Sequence, residues 1–244
     1  MGTAGIAIGT SGWHYAHWSG PFYPEDLPKA RYLDYYAQHF ATVELNNTFY
    51  RLPPPEQFAA WRDSVPTGFV FAVKANRYIT HMKRLKDPET SLKRFLDAVA
   101  ALAPKLGPIL FQLPPRWRLN EERLQAFLAA LPSGFRYAFE FRDESWFAEP
   151  VYQALERHNV AFCLYDLAGR HSPTRVTADM VYLRLHGPGA AYQGSYDGRA
   201  LAGWARRIRR WRSEGRSVYC YFDNDEKGYA VRDALRLKAM LEDG

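Results

Sequence analysis

Apolar residues recur at every second position in eight short stretches of the chain, and the intervening stretches carry the wider spacing of amphipathic helices. In residues 136–146, RYAFEFRDESW, Phe139 and Phe141 alternate with Glu140 and Arg142, so an extended strand presents one aromatic and one charged face. Residues 69–76 oppose Phe69, Phe71, Val73 and Ala75 to Val70, Ala72, Lys74 and Asn76; residues 108–114 oppose Ile109, Phe111 and Leu113 to Leu110 and Gln112. Residues 180–186 set Val181, Leu183 and Leu185 against Tyr182, Arg184 and His186, and residues 217–223 set Val218, Cys220 and Phe222 against Tyr219, Tyr221 and Asp223. In residues 41–50, Val43, Leu45 and Phe49 share one parity, and Glu44, Asn46, Thr48 and Tyr50 the other. Residues 5–11, ending in Ser11, and residues 161–167, apolar until Asp166, complete the set.

Helices are expected over 30–40, 56–64, 91–103, 121–131, 150–158, 203–213 and 229–241, with Pro55 suited to the first helical position. Eight strands alternating with helices predict an α/β fold, a single (β/α)8 TIM-type barrel domain over residues 1–244. A doubly wound open sheet shares the alternation, but no strand-to-helix turn carries a GxGxxG or GxxxxGK phosphate loop.

In such a barrel, alternate side chains face the axis and the site lies at the strand carboxyl ends. The inward set is then Ser11, Glu44, Asn46, Lys74, Asn76, Gln112, Glu140, Arg142, Arg184, His186, Tyr221 and Asp223, with the facing of Asp166 left open. Taken singly, these are explained by buried ion pairs: Glu140 with Arg142 or Arg184, and Glu44 with Lys74. Gathered at one end of a fold, where each unpaired ion costs several kcal/mol, they point to a pocket.

Composition adds little to this picture. A hydrophobic share of 47% and a charged share of 24% fit a globular domain. The seven tryptophans mostly suit an aromatic core, although Trp13 and Trp146 are candidates for a stacking surface. The loop 12–29, with Trp13, His14, Tyr15, His17 and Trp18, reads as a pocket wall or a lid on the core. Cys163 and Cys220 lie in apolar runs and read as buried free thiols. The net charge of +6 is concentrated in Arg206, Arg207, Arg209, Arg210, Arg212 and Arg216, where a solvated helix face competes with nucleic-acid contact. Neither a targeting segment nor a membrane-length apolar run is visible, which makes a cytoplasmic location the expectation and a membrane partner unexpected.

The runs IGTSGWHYAHWSGPFYP, VELNNTFYRLP, FAVKANRYITH, LFQLPPRW, EFRDESW, YLRLHGP and YFDND resemble, in order and spacing, the bacterial and archaeal domain of unknown function 72 family. The resemblance spans nearly the whole chain and implies a TIM-type barrel without an established activity. Its motifs coincide with Glu44, Asn46, Lys74, His81, Gln112, Glu140, Arg142, Arg184, His186 and Asp223.

Three chemistries suit the inventory. The first is acid/base work without a cofactor on an anionic or polyol-like small molecule, a class that includes glycoside hydrolysis. Glu44, Glu140, Lys74 and His186 are the catalytic candidates, Lys74 alternatively as a Schiff-base nucleophile. Asn46, Asn76, His81, Gln112, Arg142, Arg184, Tyr221, Trp13 and Trp146 would bind the substrate, the arginines holding its oxygens. The second is a divalent-metal site of Glu140, Asp166, His186 and Asp223, as in xylose-isomerase-like barrels, for isomerisation or phosphodiester hydrolysis. The third is nucleic-acid binding without catalysis through the arginine-rich helix and the aromatic loops.

Overall fold

The computed structural model describes residues 5–242. Residues 1–4, part of the stretch weighed as a targeting signal, and residues 243–244 lie outside the described residues. The element order is that of an α/β (β/α)8 TIM-type barrel. Its eight parallel strands are β1 (Ile6–Thr10), β2 (Thr42–Leu45), β3 (Val70–Lys74), β4 (Leu106–Gln112), β5 (Tyr137–Glu140), β6 (Ala161–Leu167), β8 (Met180–Leu185) and β9 (Ser217–Phe222). A two-residue strand that the sequence pattern does not announce, β7 (Arg170–His171), pairs antiparallel with β6.

Two compact units share the chain. The first holds Met1–Glu44, Leu164–Ser172 and Asp179–Gly244. Within it β9 lies between β1 and β8, in register from Ile6↔Val218 to Thr10↔Phe222 and from Met180↔Ser217 to Leu185↔Phe222. Ser11, one residue beyond β1, forms a parallel bridge with Glu44. Helices α7 (Gly198–Ser213) and α8 (Tyr229–Glu242) pack on β9. Leu201, Trp204, Ala205, Ile208 and Trp211 are the buried stripe of α7, each large side chain contributing about 1.5–3 kcal/mol. Arg206, Arg207, Arg210 and Arg212 are exposed, the solvated face expected at a 3.6-residue period. This helix starts five residues earlier than the apolar period suggests, because the Asp197 carboxylate accepts from the Ala200 N–H at 2.7 Å and caps it.

Gly9 explains how closely β1 can approach β2 in this unit: a Cβ there would lie 2.3 Å from the Thr42 carbonyl oxygen. Since that obstacle is backbone, Gly9→Ala is expected to destabilise the protein by about 1–3 kcal/mol. Urea unfolding measures this, and an unchanged midpoint would refute the close-approach account.

The second unit holds Leu45–Cys163 and Pro173–Ala178. Here β3, β4, β5 and the start of β6 are successive parallel neighbours. Phe139, Phe141 and Phe162 stack with ring centroids 5.8 and 5.9 Å apart. Two sequence expectations need correction. The strand expected over 41–50 stops at Leu45, and a short helix, α2 (Asn47–Tyr50), follows. The Thr48 hydroxyl lies within hydrogen-bond reach of the Leu45 and Lys74 carbonyls, at 2.9 and 2.6 Å, which ties down the turn. Parity beyond Leu45 therefore carries no meaning, and Tyr50 is 73% exposed. Similarly, strand β5 covers only the first part of RYAFEFRDESW. Asp143 accepts from the Ser145 N–H at 3.1 Å and starts a helical turn, Glu144–Trp146.

Candidate active site

In the first unit, polar side chains converge from the carboxyl ends of β1, β2, β8 and β9. Glu44, fully buried, occupies the third position of β2. Its Oε1 accepts from the Ser11 hydroxyl at 2.7 Å and from Arg184 Nη2 at 2.8 Å. Its Oε2 accepts from the Tyr182 hydroxyl at 2.7 Å and from Arg184 Nε at 3.0 Å. The period of two puts Tyr182, Arg184 and His186 on one side of β8, so one strand supplies both of Glu44's strongest donors and the imidazole beyond them. Arg184 continues the network: Nη2 donates to Asp223 Oδ2 at 3.0 Å, and Nη1 lies 3.3 Å from His186 Nε2. Beside it, the Tyr221 and Thr42 hydroxyls are 2.8 Å apart.

A guanidinium can only donate, so its contact with His186 Nε2 makes that nitrogen the acceptor. The ring proton then sits on Nδ1, which lies 3.0 Å from Asp223 Oδ2. The guanidinium contact thus selects the tautomer, and the Asp223 carboxylate lies beside the protonated nitrogen. His186 is fully buried, with the Tyr192 ring edge-on above it at 5.4 Å. Tyr192 adopts a left-handed φ of 65° while its N–H donates to the His186 carbonyl at 2.6 Å. Gly187 permits this return of the loop, since a Cβ there would meet the Gln193 carbonyl oxygen at 2.2 Å.

The surroundings of this network are acidic. Asp225 accompanies Glu44 and Asp223, and its carboxyl is raised above the usual range by burial and then by the charge of Asp223. Tyr15, whose hydroxyl donates to the Ser11 carbonyl at 2.6 Å, is pushed far above the ordinary phenol range by burial, then by Asp223, Asp225 and Glu44. Tyr182 and Tyr221 are raised too, burial being the main cause in both. All three phenols therefore remain protonated donors at neutral pH. Sequence reasoning missed Tyr15 and Tyr182 as members of this cluster, although the shared parity of Tyr182 and Arg184 was a usable signal.

The second unit gathers the remaining candidates. Glu140, fully buried at the end of β5, pairs with the Arg142 Nε two residues on. Cys163 Sγ lies 3.8 Å from Glu140 Oε2, and Gln112 is Glu140's register partner on β4. Lys74 Nζ sits 4.4 Å from the centre of the Phe49 ring, and Asn76 Nδ2 donates to the Thr48 carbonyl at 2.8 Å. Asn46 precedes α2 as its capping residue. Both cysteines are buried free thiols.

Some candidates have other work. Trp146 is fully buried, stacked on Phe141 at 4.9 Å, with its indole N–H donating to the Trp117 carbonyl at 2.6 Å. Trp13 is only 7% exposed, and its carbonyl accepts from Tyr23 at 2.6 Å. Both are core residues and offer no open face for stacking a ligand. Glu44 takes Ser11, Tyr182 and Arg184 as partners where the sequence suggested Lys74. Asp166 faces Tyr196 and His171, and burial raises its carboxyl. Among the described residues, no group of three or more His, Cys, Asp or Glu side chains is arranged to hold a metal ion.

His81 is held at a pKa of about 4, below its ordinary 6.5, by burial first and then by the charges of Lys74 and Arg77. Its ring hydrogen-bonds Thr80 at 2.9 Å and packs edge-on against Phe49 at 4.9 Å. Between pH 6.5 and pH 4 the unfolded chain binds more protons at this residue than the folded one, so stability falls as pH falls across that window. His81→Gln is expected to flatten the decline. Urea unfolding of both proteins at the two ends of the window reads the difference, and parallel declines would contradict the assignment.

Among the described residues no helix is long and apolar enough to cross a membrane. A family model described as protein of unknown function DUF72 matches residues 7–244. The UPF0759 protein YunF of Bacillus subtilis is 27% identical, with 97% of this chain and 95% of that protein covered. The UPF0759 protein YecE of Escherichia coli is 36% identical over 118 residues, 48% of this chain and 43% of that protein, so this match spans less than half of YecE. Among solved structures, a DUF72 family protein from Thermotoga maritima superposes with a TM-score of 0.88 at 30% identity, covering 98% of this chain and 99% of that one.

Proposed function

The chain belongs to the DUF72 family of proteins of unknown function, and from that premise we propose an enzyme that does acid/base chemistry on a polar, polyol-like small molecule at the strand carboxyl ends of its first unit. One observation carries the reading: Glu44, Arg184, His186 and Asp223 are almost wholly buried together where β2, β8 and β9 end. A buried network of this kind contributes little net stability compared with apolar residues of the same volume, which favours a chemical reason for it.

Within this proposal His186 is the proton carrier. Substrate entry would displace the Arg184 Nη1 contact at 3.3 Å, a substrate hydroxyl would then give its proton to the freed Nε2, and Asp223 would stabilise the imidazolium. Arg184 is committed to Glu44 and Asp223, so it orients the imidazole and has little capacity left to hold an anion. Glu44, locked by Ser11, Tyr182 and Arg184, is a positioning residue, since a proton on it would displace a donor and remove the charge that Arg184 pairs with. Two carboxylates on one guanidinium, with the Asp225 carboxyl influenced by Asp223, favour hydroxyl donors over phosphate or carboxylate groups at this position. The Tyr192 loop over His186 would exclude water during turnover.

The test is a screen of free sugars, sugar lactones and polyols by NMR, comparing the wild-type protein with His186→Asn. Turnover by the wild type alone supports the reading; equal turnover by both proteins contradicts it.

A further inference from the structure

The loops that follow β3 and β4 in the second unit enclose a concavity of about 520 Å3, lined in part by His81, Lys83, Arg84, Lys86, Trp117 and Arg123. Four of its lining side chains are cationic and none is acidic. Among the described residues only Lys83 of these four has a carboxylate partner, Asp87 at 3.1 Å, and both members of that pair are solvated enough for the bond to be weak. Arg123, in the first turn of the helix Glu121–Ala129, spends one N–H on the Arg84 carbonyl at 3.2 Å, which ties that helix to the first loop and leaves further donors of its fork. Leu85, 1% exposed, anchors the first loop, while its neighbours Arg84 and Lys86 are exposed.

Such convergence of like charges is self-repelling and is relieved by a bound anion. Two other features fit. Arg84, Leu85, Asp87 and Arg116 hold left-handed φ values of 48, 64, 47 and 62° in these same loops, a concentration of strain typical of ligand clamps. Burial first, and then the charges of Lys74 and Arg77, keep the lining residue His81 neutral.

We propose that this pocket binds the phosphate monoester of a small metabolite. Its volume falls within the range of roughly 300–1,000 Å3 usual for small-molecule sites. The four cations line one concavity. Trp117, 9% exposed and packed edge-on against Trp146 at 5.2 Å, has no face free for a base. A nucleic-acid strand therefore fits less well than a monoester. The site shares no residue with the Glu44–His186 network, so its test does not depend on turnover there.

Isothermal titration of the whole protein with inorganic phosphate, glucose 6-phosphate, glucose and a short single-stranded DNA decides the matter. Phosphate and glucose 6-phosphate are expected to bind saturably and to compete, and glucose not to displace phosphate. Arg84→Ala and Lys86→Ala, both at exposed positions, should each weaken phosphate binding by about tenfold or more, the loss of one charge-assisted hydrogen bond. Arg206→Ala, on α7, should leave it unchanged. The absence of saturable phosphate binding, affinities unaffected by Arg84→Ala and Lys86→Ala, or DNA binding that phosphate does not displace would each overturn the proposal.

Discussion

Replacing Arg184 by methionine is expected to destabilise the protein by about 3–5 kcal/mol, the usual result of removing one partner from a buried ionic network. The size follows from what the substitution leaves behind. Glu44, fully buried, would lose all its hydrogen bonds to the guanidinium and keep only those from Ser11 and Tyr182. Asp223 would retain the His186 ring at 3.0 Å but lose its own guanidinium bond of the same length. Glu44 is shut off from solvent and the Asp223 side chain is only 10% exposed, so most of the desolvation cost is felt. The double variant Glu44→Gln with Arg184→Met removes one charge of each sign, and its loss should be smaller than the sum of the two single losses. Urea unfolding of the four proteins closes the cycle. A single-variant loss below about 1 kcal/mol, the range of solvated pairs, would show that water reaches Arg184 and that the network is not the closed unit described.

How much of this network the chain reveals before folding depends on which contacts are local in parity and which are not. Alternation along β8 puts Arg184 and His186 on one side because the strand's period of two is rigid. The same logic recovers Glu44, Tyr221 and Asp223. What it cannot recover is partnership: Glu44 and Arg184 lie 140 positions apart, and only the folded sheet makes them neighbours. A strand neighbour such as Lys74 was the natural guess for Glu44, yet Tyr182 and Arg184 supply its donors. Parity also misleads where a strand ends unannounced. Asn46 and Asn47 turn the chain into α2, so Thr48 bonds backbone carbonyls and Tyr50 faces solvent. Asp166 escaped assignment because β6 is apolar on both faces, and its contact with Tyr196 comes from a loop whose course the sequence does not show. That loop is in turn held by Asp233, a fully buried carboxylate of α8 bonded to Ser195 Oγ, the Tyr196 N–H and Asn224 Nδ2 at 2.7, 2.9 and 2.9 Å. No period marks Asp233 as special, since one carboxylate in an amphipathic helix ordinarily faces water.

His186→Asn is expected to lower turnover of a substrate found in the sugar and polyol screen by about 10²–10⁴-fold, the range for loss of a positioned general base. Asparagine is the informative replacement because its amide N–H can occupy the place of Nδ1–H beside Asp223, while nothing replaces Nε2. Folding should therefore survive, with a melting temperature within a few degrees of the wild type. The Michaelis constant should change far less than the turnover number, because the lost interaction forms as the proton moves. Asp223→Asn tests the other half of the pair differently: it removes the carboxylate beside Nδ1–H, and it also takes a carboxylate from Arg184. Its turnover loss should be of similar size, accompanied by a loss of stability that His186→Asn does not show. If His186 served only to fill space beneath Tyr192, the ordering would reverse, with His186→Asn lowering the melting temperature and leaving the turnover per folded molecule intact. Measuring both quantities on both variants separates a proton carrier from a packing residue.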